Sequence, residues 1–291
     1  AQREHQEFMA TVEAVARENA TVFDALPADG VAVFPVGDAH TPLWRELAAG
    51  RRVMTFGEGA DQGAGQAADV WGEGEWQGGA WRLAARTPQG ELRCALRIAG
   101  RHNLRNALAA AACALAAGVP LAAVARGLEA FEPVKGRSRS VPLALGGRAV
   151  TLVDDSYNAN PDSVRAAIEV LASLPGPRLL VLGDMGEVGE QGLAFHQEVL
   201  RHAAAHGIDR VLCTGDWFGQ AAAGVAVDMG TTQLAHFEDF GALRDAALAS
   251  ASGAGSVLVK GSRFMRMERV AQALVDAVDA ASAAAQGEKT C

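Results

Sequence analysis

The chain has 291 residues, of which 49% are apolar, and a formal net charge of −8. This length is enough for about two globular domains. The net negative charge argues against a general nucleic-acid-binding or anionic-membrane surface. The four cysteines are scattered without metal-ligand spacing, which favours a reducing, cytoplasmic compartment. The longest apolar run, Ala107 to Ala125, is broken by Gly118 and Pro120, so no membrane span is predicted.

The first half of the chain begins with a βα rhythm that is typical of a parallel sheet. Between Asp61 and Ile98 it changes to glycines, tryptophans and short alternating runs, which predict antiparallel hairpins. The tryptophans there are expected to pack on sheet faces. The predicted elements of this half are helix 1–26, strand 31–34, helix 43–49, strand 53–56, the hairpins, an alanine-rich helix ending at 117 and helix 121–130.

The second half has a more regular pattern. A segment with Pro, Gly and three cations, Phe131 to Arg139, is predicted to be a solvated linker. The sequential βα units beyond it indicate a Rossmann-like domain with a mostly parallel sheet. The predicted strands are 149–153, 178–182, 210–213, 234–237 and 256–259, and the main predicted helices are 161–174, a helix ending at about 205, 238–250 and 265–281.

Polar and charged side chains follow these strands, at the edge where ligands bind in α/β sheets. They are Asp154, Asp155, Asp184, Glu187, Asp216, Lys260 and Arg263. In the densest stretch, Asn160 suits a helix N-cap and Pro161 the first helical position. Each Asp or Asn taken alone is equally explained by a turn or a cap. The number of polar groups in the short loop after Asp154 favours a ligand site.

Two asparagines near the start of the alanine-rich helix are a second candidate feature. Asn103 and Asn106 are three residues apart and share a helix face. An amide offers both a donor and an acceptor, as recognition of an adenine edge requires, although capping would also explain Asn103. No window matches the phosphate-binding pattern G-x-x-x-x-G-K-[ST], and no zinc-type spacing occurs. The residues alone therefore indicate an α/β protein of two domains that binds a small, polar, anionic ligand.

Several motifs, in order and spacing, resemble the Mur ligase family over essentially the whole chain. They are GRHNLRNALAAA at 100–111, VKGR at 134–137, DDSYNANPDS at 154–163, LGDMGE at 182–187 and VKGSR at 259–263. The resemblance implies that residues 1–136 are the remainder of a P-loop-type central ATPase domain and that 137–291 form the C-terminal Rossmann-like domain. Because the chain starts at Ala1 and has no P-loop, we expect the N-terminal domain and the P-loop region to be missing from it.

The resemblance also implies a reaction. It is ATP-dependent, ADP-forming amide-bond formation through an acyl phosphate, in peptidoglycan precursor synthesis. The implied substrates are UDP-N-acetylmuramoyl-tripeptide and D-alanyl-D-alanine, with ATP and Mg²⁺, and the implied protein is a cytoplasmic monomer. Without a phosphate cradle we expect the 291-residue chain alone to be inactive. The alternatives are another Mur-type ligase, such as one that adds the third peptide residue or a polyglutamate to folate, and an inactive fragment that binds nucleotide or dipeptide.

Site residues follow from the same resemblance. Those implied for ATP are His102, Asn103 and Asn106 at adenine, Asp155 at the ribose and Arg137 at the phosphates. Those implied around the acceptor dipeptide are Tyr157, Asn158, Asn160, Asp184, Glu187, Lys260 and Arg263, with Arg137, Lys260 and Asp184 taken as catalytic. By charge, Lys260 or Arg263 is expected to pair with the dipeptide carboxylate and Asp184 or Glu187 with its ammonium group.

The metal site is the weakest part of the match. His5 lies near the position of a family metal-site histidine, and it is carried over on that basis alone. The family pattern E-x-V-A-x-x-K ends in a carbamylated, magnesium-organising lysine. Here the corresponding residue is Asn19, in Glu13 to Asn19, and an amide cannot be carbamylated. The arrangement of a second magnesium is therefore left open.

Overall fold

The computed structural model describes residues 1–5, 7–59, 68–77 and 80–287, with side chains described to 278. It divides into two compact units. Unit 1 consists of residues 1–3 and 9–133, and unit 2 of residues 4–8 and 134 onward. Parts of the predicted hairpin region, 61–67 and 78–79, lie outside the described residues, as do the last four residues of the predicted C-terminal domain.

Unit 1 is built on a five-stranded sheet in the order β1-β2-β3-β4-β5. The first three strands pair in parallel and the last three pair antiparallel, which confirms both the βα rhythm and the predicted hairpins. The elements are α1 Val12–Ala20, β1 Val31–Pro35, α2 Thr41–Leu47, β2 Arg52–Glu58, β3 Val70–Gln77, β4 Ala80–Thr87, β5 Gly90–Leu96, α3 His102–Ala116 and α4 Leu121–Glu129.

The glycines of β3 are explained by the close approach of helix α3. A Cβ atom on Gly74 would lie 2.6 Å from Leu104 Cδ2, and one on Gly72 would lie 2.8 Å from Leu108 Cδ2. Leu104 and Leu108 are buried on the helix face that covers the sheet. Because real Cβ contacts are not this short, only glycine lets the helix pack at this distance.

The predicted N-terminal helix was too long. Helix α1 begins at Val12, where Thr11 is in an extended conformation and its Oγ1 accepts a hydrogen bond from Ala14 N at 3.1 Å. This cap satisfies one of the amide groups left open at a helix start, so the helix begins there and not at residue 1. After Ala20 the chain tightens into a 3₁₀ turn, Thr21–Phe23, and the predicted end at 26 is also wrong.

Unit 2 contains a six-stranded sheet in the order β10-β9-β8-β11-β7-β6. Its strands pair in parallel except for β6 with β7, which confirms the Rossmann-like, mostly parallel prediction. The elements are β6 Arg139–Leu145, β7 Arg148–Asp155, α5 Pro161–Ala172, β8 Arg178–Gly183, α6 Gly192–Ala205, β9 Arg210–Thr214, α7 Asp216–Val225, β10 Gln233–Phe237, α8 Phe240–Ala251, β11 Ser256–Lys260 and α9 Glu268–Gly287.

Strand β6 was not predicted. It is joined to β7 by Gly146 and Gly147, whose φ angles are 58° and 76°. Two central residues with positive φ form the type of tight turn that matches the twist of a hairpin. Leu143 and Leu145 alternate inward from β6, and Pro142 is tolerated because β6 is an edge strand.

Helices cover both faces of this sheet. One apolar core contains buried residues of α5, α6 and α7, and the other contains buried residues of α8 and α9. The five residues of β11 are all buried, as expected for a central parallel strand. Among the described residues, no helix is long and apolar enough to cross a membrane.

Candidate functional site

The carboxyl ends of β7 and β11 meet in unit 2 because the two strands pair in parallel, with Lys260 opposite Asp155. Lys260 Nζ donates to Asp155 Oδ2 at 2.6 Å and to the backbone oxygen of Asn158 at 2.9 Å. Lys260 is only 3% exposed. The ammonium group therefore neutralises Asp155 and fixes the loop after β7, and its pairing with the dipeptide carboxylate stays a prediction.

Adjacent carboxylates at the end of β7 also hold the segment before β6. Asp154 Oδ2 accepts from Gly136 N at 3.1 Å, and Asp155 Oδ1 accepts from Ser138 N at 2.9 Å and Ser138 Oγ at 3.1 Å. Gly136 has a φ of 80°, and a Cβ there would lie 3.2 Å from Tyr157 N. The predicted linker is thus tied to the sheet edge over 136–138.

Two arginines share the ring of Tyr157. The Cζ of Arg137 lies 4.2 Å from the ring centroid, and the Cζ of Arg263 lies 5.7 Å from it. A guanidinium group over an aromatic face is favoured by the ring quadrupole, and stacking leaves its N–H groups directed outward. All three side chains are exposed. They form a cationic surface beside the Asp155–Lys260 pair, which we call the arginine–tyrosine cluster.

Asp184, which follows β8, caps helix α7. Its two carboxylate oxygens accept from Trp217 N at 3.0 Å and Phe218 N at 2.9 Å, and the residue is 5% exposed. A carboxylate at a helix N-terminus satisfies open amide groups and interacts favourably with the helix dipole. Gly215 has to be glycine, because a Cβ there would lie 2.2 Å from Asp184 Cγ.

The loop 183–190 is held by two residues that the sequence analysis did not single out. His196 Nε2 accepts from Met185 N at 2.9 Å, and its Nδ1 contacts Gly192 O at 2.7 Å. Burial lowers the pKa of His196, although its bond to Gly192 and the charge of Asp184 act in the opposite direction. Ser262 Oγ accepts from Gly186 N at 2.7 Å. Ser262 belongs to the VKGSR motif, so the motif could have indicated its role. His196 lies on an apolar helix face, and no sequence pattern distinguishes it from a core residue.

Glu187 lies at the surface of this loop, with a left-handed φ of 56°. Its carboxylate contacts His5 Nδ1, and its backbone oxygen accepts from Glu7 N at 3.1 Å. Asn160 is the N-cap of α5, as predicted, and it exchanges hydrogen bonds with Ser163 in a capping box. Glu187 is therefore an exposed acid of the loop, and the amide of Asn160 is engaged in capping.

The asparagine pair in unit 1 forms a short hydrogen-bonded chain. Asn103 is buried and donates through Nδ2 to Ala99 O at 2.7 Å, and Asn106 Nδ2 donates to Asn103 Oδ1 at 3.1 Å. His102 Nε2 lies 3.1 Å from Asn103 Nδ2. The network orients Asn106, which is exposed, while Asn103 acts mainly as its support.

In the part of the chain that the structure describes, neither His5 nor Asn19 belongs to a cluster of potential metal ligands. Among the residues that the structure describes, the group of three His, Cys, Asp or Glu side chains close enough to share an ion is Glu169, His202 and His206, on helices α5 and α6. His5 is not in this group and contacts Glu187 instead. Asn19 is exposed on α1.

The two units correspond to two domains of one enzyme family. The profile described as "Mur ligase middle domain" matches residues 1–114, and the one described as "Mur ligase, glutamate ligase domain" matches residues 136–263. Together these matches cover most of the chain, and the chain belongs to the Mur ligase family.

Among curated proteins, the chain is similar to UDP-N-acetylmuramoyl-tripeptide–D-alanyl-D-alanine ligase of Escherichia coli K12, at 35% identity over 93% of this chain. The Haemophilus influenzae protein of the same name is 32% identical over 94%. The chain spans 57% of the length of each of these two relatives. A solved structure of MurF from Acinetobacter baumannii superposes with a TM-score of 0.81 at 30% identity, covering 94% of this chain and 58% of the other.

Proposed function

We propose that this chain supplies the middle and C-terminal domains of a cytoplasmic, ATP-dependent ligase that adds D-alanyl-D-alanine to UDP-N-acetylmuramoyl-tripeptide during peptidoglycan synthesis. The observation that supports the proposal most directly is the arginine–tyrosine cluster beside the Asp155–Lys260 pair, built from motifs of the D-alanyl-D-alanine-adding type. ATP supplies the phosphoryl group that activates the tripeptide carboxylate as an acyl phosphate. The chain's own residues bind and orient the reactants.

Asp155 fits a role at the ribose. A carboxylate has about four acceptor positions. Asp155 uses two of them on Oδ1 for Ser138 and one on Oδ2 for Lys260. One position on Oδ2 remains, and the Asp155 side chain is 17% exposed, so a ribose hydroxyl has an acceptor to reach. In this role Lys260 is a positioning residue, because its bond to Oδ2 holds the Asp155 carboxylate in place.

Arg137 suits the phosphates, because it is exposed and stacked on Tyr157, so that little side-chain freedom is lost when it binds. In unit 1, the exposed amide of Asn106 is our candidate for the adenine edge, with Asn103 and His102 as its support. The proposed nucleotide contacts are therefore Asp155 and Arg137 in unit 2 and Asn106 in unit 1.

For the acceptor dipeptide we favour the two exposed charges over the two buried ones. Arg263 carries an exposed guanidinium that could exchange its surface contact with Glu268, at 3.3 Å, for the dipeptide carboxylate. Glu187 carries an exposed carboxylate that could exchange its surface contact with His5 for the ammonium group. Lys260 and Asp184 are each committed to partners within the protein and are assigned structural roles in this site. Tyr157 and the Asn158 backbone then shape the wall beside Arg263.

The family resemblance also implies Mg²⁺. Within the part of the chain that the structure describes, no group of three potential ligands surrounds the arginine–tyrosine cluster. The cluster itself offers two guanidinium groups and a phenol, not the carboxylate oxygens that Mg²⁺ prefers, so these three side chains do not hold the ion.

Calorimetry on the 291-residue chain tests the proposal. We expect heat on titration with ADP and with D-alanyl-D-alanine, and none with L-alanyl-L-alanine. Arg263→Ala should weaken the dipeptide by about tenfold or more, since a charge-assisted hydrogen bond contributes about 1.5–3 kcal/mol. Arg137→Ala should weaken the binding of ADP to a similar extent and leave the binding of D-alanyl-D-alanine unchanged.

Arg244→Ala is the matched control, because Arg244 is an exposed arginine on α8 that pairs with its neighbour Asp245. It should leave both affinities unchanged. Absence of heat with either ligand would contradict the proposal. We expect no turnover by this chain, because its sequence holds no phosphate-loop motif, and ATP-dependent amide formation by it would refute that expectation.

A further inference from the structure

Helices α5 and α6 carry a cluster of three metal-ligating side chains that belong to none of the motifs used above. Its members are Glu169 on α5, His202 on α6 and His206 at the C-cap of α6. One ligand atom from each lies within 4.8 Å of the others. The histidines are four residues apart, so they lie on one helix face and present their rings to the same point.

The ring nitrogens are arranged as they are in metal sites. His206 Nδ1 contacts the backbone oxygen of His202 at 2.9 Å, so Nδ1 carries the proton and Nε2 keeps a lone pair. Metal-bound histidines commonly donate their other ring N–H to a carbonyl in this way. The two rings lie with their centroids 4.0 Å apart.

His202 provides the observation that points to a ligand. Its Nε2 is buried and has no hydrogen-bond partner in the structure. The Glu169 carboxylate is 3.6 Å away, too far for a hydrogen bond, yet it is the near carboxylate that an ion between them would use. An unpaired buried polar atom is costly, and a bound cation would satisfy it.

The surrounding charge permits a cation. Arg165 faces His202 and opposes positive charge there, but it forms an ion pair with Glu198 at 2.8 Å. Burial is the largest cause that lowers the pKa of His202; the charges of His206 and Arg165 act in the same direction, and Glu169 acts in the opposite direction.

We propose that Glu169, His202 and His206 form a binding site for Zn²⁺ or a similar borderline divalent transition metal, with a fourth position open to water. Two imidazoles and one carboxylate are a ligand set of zinc, whereas Mg²⁺ prefers oxygen ligands alone. The C-terminal ends of helices in sequential βα units lie at the amino edge of the sheet, opposite the edge with Asp155 and Lys260. The ion would therefore cross-link α5 to α6 and stabilise unit 2, without touching the reactants.

Zinc binding by the full 291-residue chain, measured by competition with a chromophoric chelator, tests this site. We expect one zinc ion whose affinity falls by at least about 10-fold in both His206→Gln and Glu169→Gln, because loss of a direct ligand should cost no less than loss of an outer-shell partner. Zinc should raise the Tm of the wild-type chain and not that of either variant, because only a ligand bound to the folded state stabilises it. Mg²⁺ should do neither.

His40→Gln is the matched control. It removes one histidine from unit 1, where His40 pairs with Asp38, and should leave zinc affinity unchanged. Circular dichroism of each variant without metal checks that the fold is intact. Absence of zinc binding, or equal affinity in the wild-type chain and the two ligand variants, overturns the proposal. A loss confined to one ligand variant also overturns the three-ligand site.

Discussion

The buried Asp155–Lys260 pair provides the sharpest test of how the sheet edge is held. Lys260→Met keeps most of the side-chain length and removes the ammonium group. It leaves Asp155 Oδ2 and the backbone oxygen of Asn158 without their donor. The loop between β7 and α5 then loses the bonds from Lys260 at the end of β11, and it keeps the bond from Ser262 Oγ to Ala159 O at 3.0 Å.

The expected cost follows from burial. Breaking a buried ion pair by removing one partner destabilises a protein by about 3–5 kcal/mol, because a buried charge is left uncompensated. Asp155 keeps its two bonds from Ser138 and is 17% exposed, so we place Lys260→Met near the lower end, at about 3 kcal/mol. Asp155→Asn should lower the free energy of unfolding by a similar amount, because it leaves the Lys260 ammonium group without its carboxylate partner.

The double variant distinguishes the interaction energy between the two side chains from the separate contribution of each. Lys260→Met with Asp155→Asn leaves no unpaired charge, so it should be less destabilised than the sum of the single changes, with a coupling energy of about 2–3 kcal/mol. Hydrogen exchange of the β7 and β11 amides, measured by mass spectrometry, reports the local free energy of opening at this edge. This choice avoids treating a chain of two units as a two-state system.

Two results would refute the reasoning. A loss below about 1 kcal/mol in Lys260→Met would show that the ammonium group is not needed to compensate Asp155. Additive single changes, with a coupling energy near zero, would show that the two side chains act independently. Exchange at β10, on the far edge of the same sheet, serves as the internal reference.

Three further predictions concern the same unit. Because burial lowers the pKa of His196, the unfolded chain binds a proton near pH 6.5 while the folded chain does not yet bind it. The free energy of unfolding, measured with urea, should therefore fall between pH 7 and pH 5, by at most about 1.4 kcal/mol per pH unit for this group. A rise over this range would contradict the prediction. The pKa of His202 is lowered too, so His202→Gln should reduce this slope without abolishing it. Gly215→Ala should lower the free energy of unfolding by more than about 2 kcal/mol, because the new Cβ would clash with Asp184. Gly207 is also at positive φ but lies in open space, so Gly207→Ala should lower it by only about 1 kcal/mol. Equal losses in thermal unfolding would refute the clash.

Local features were predicted well because they depend on neighbours in sequence. Asn160 and Pro161 start α5 as expected, since a capping side chain and a restricted φ act within one turn. Where a local signal was overlooked, the prediction failed. Thr11 begins α1 eleven residues later than predicted, and the Gly146–Gly147 turn creates β6 in a stretch left without an element.

The motifs also indicated which residues lie at the sheet edge, but not which of them remain available to a ligand. Asp184 and Glu187 are three residues apart and have the same charge, yet one caps α7 and the other is exposed. Similarly, Lys260 is buried against Asp155, whereas Arg263 stacks near Tyr157. The order of the strands in space decides these outcomes, and that order depends on long-range packing.

By itself, the sequence determined the α/β class, the Rossmann-like second half and the set of polar residues at the strand exits, because periodicity and capping are local. The tertiary structure decided which charges neutralise one another, since Asp155 and Lys260 are 105 residues apart and meet only through the β7–β11 register. It also decided that Glu169 lies beside His202 and His206, from helices with no shared motif. Contacts between distant segments have no signature in the spacing of residues, so the chemistry they permit became visible only in the folded chain.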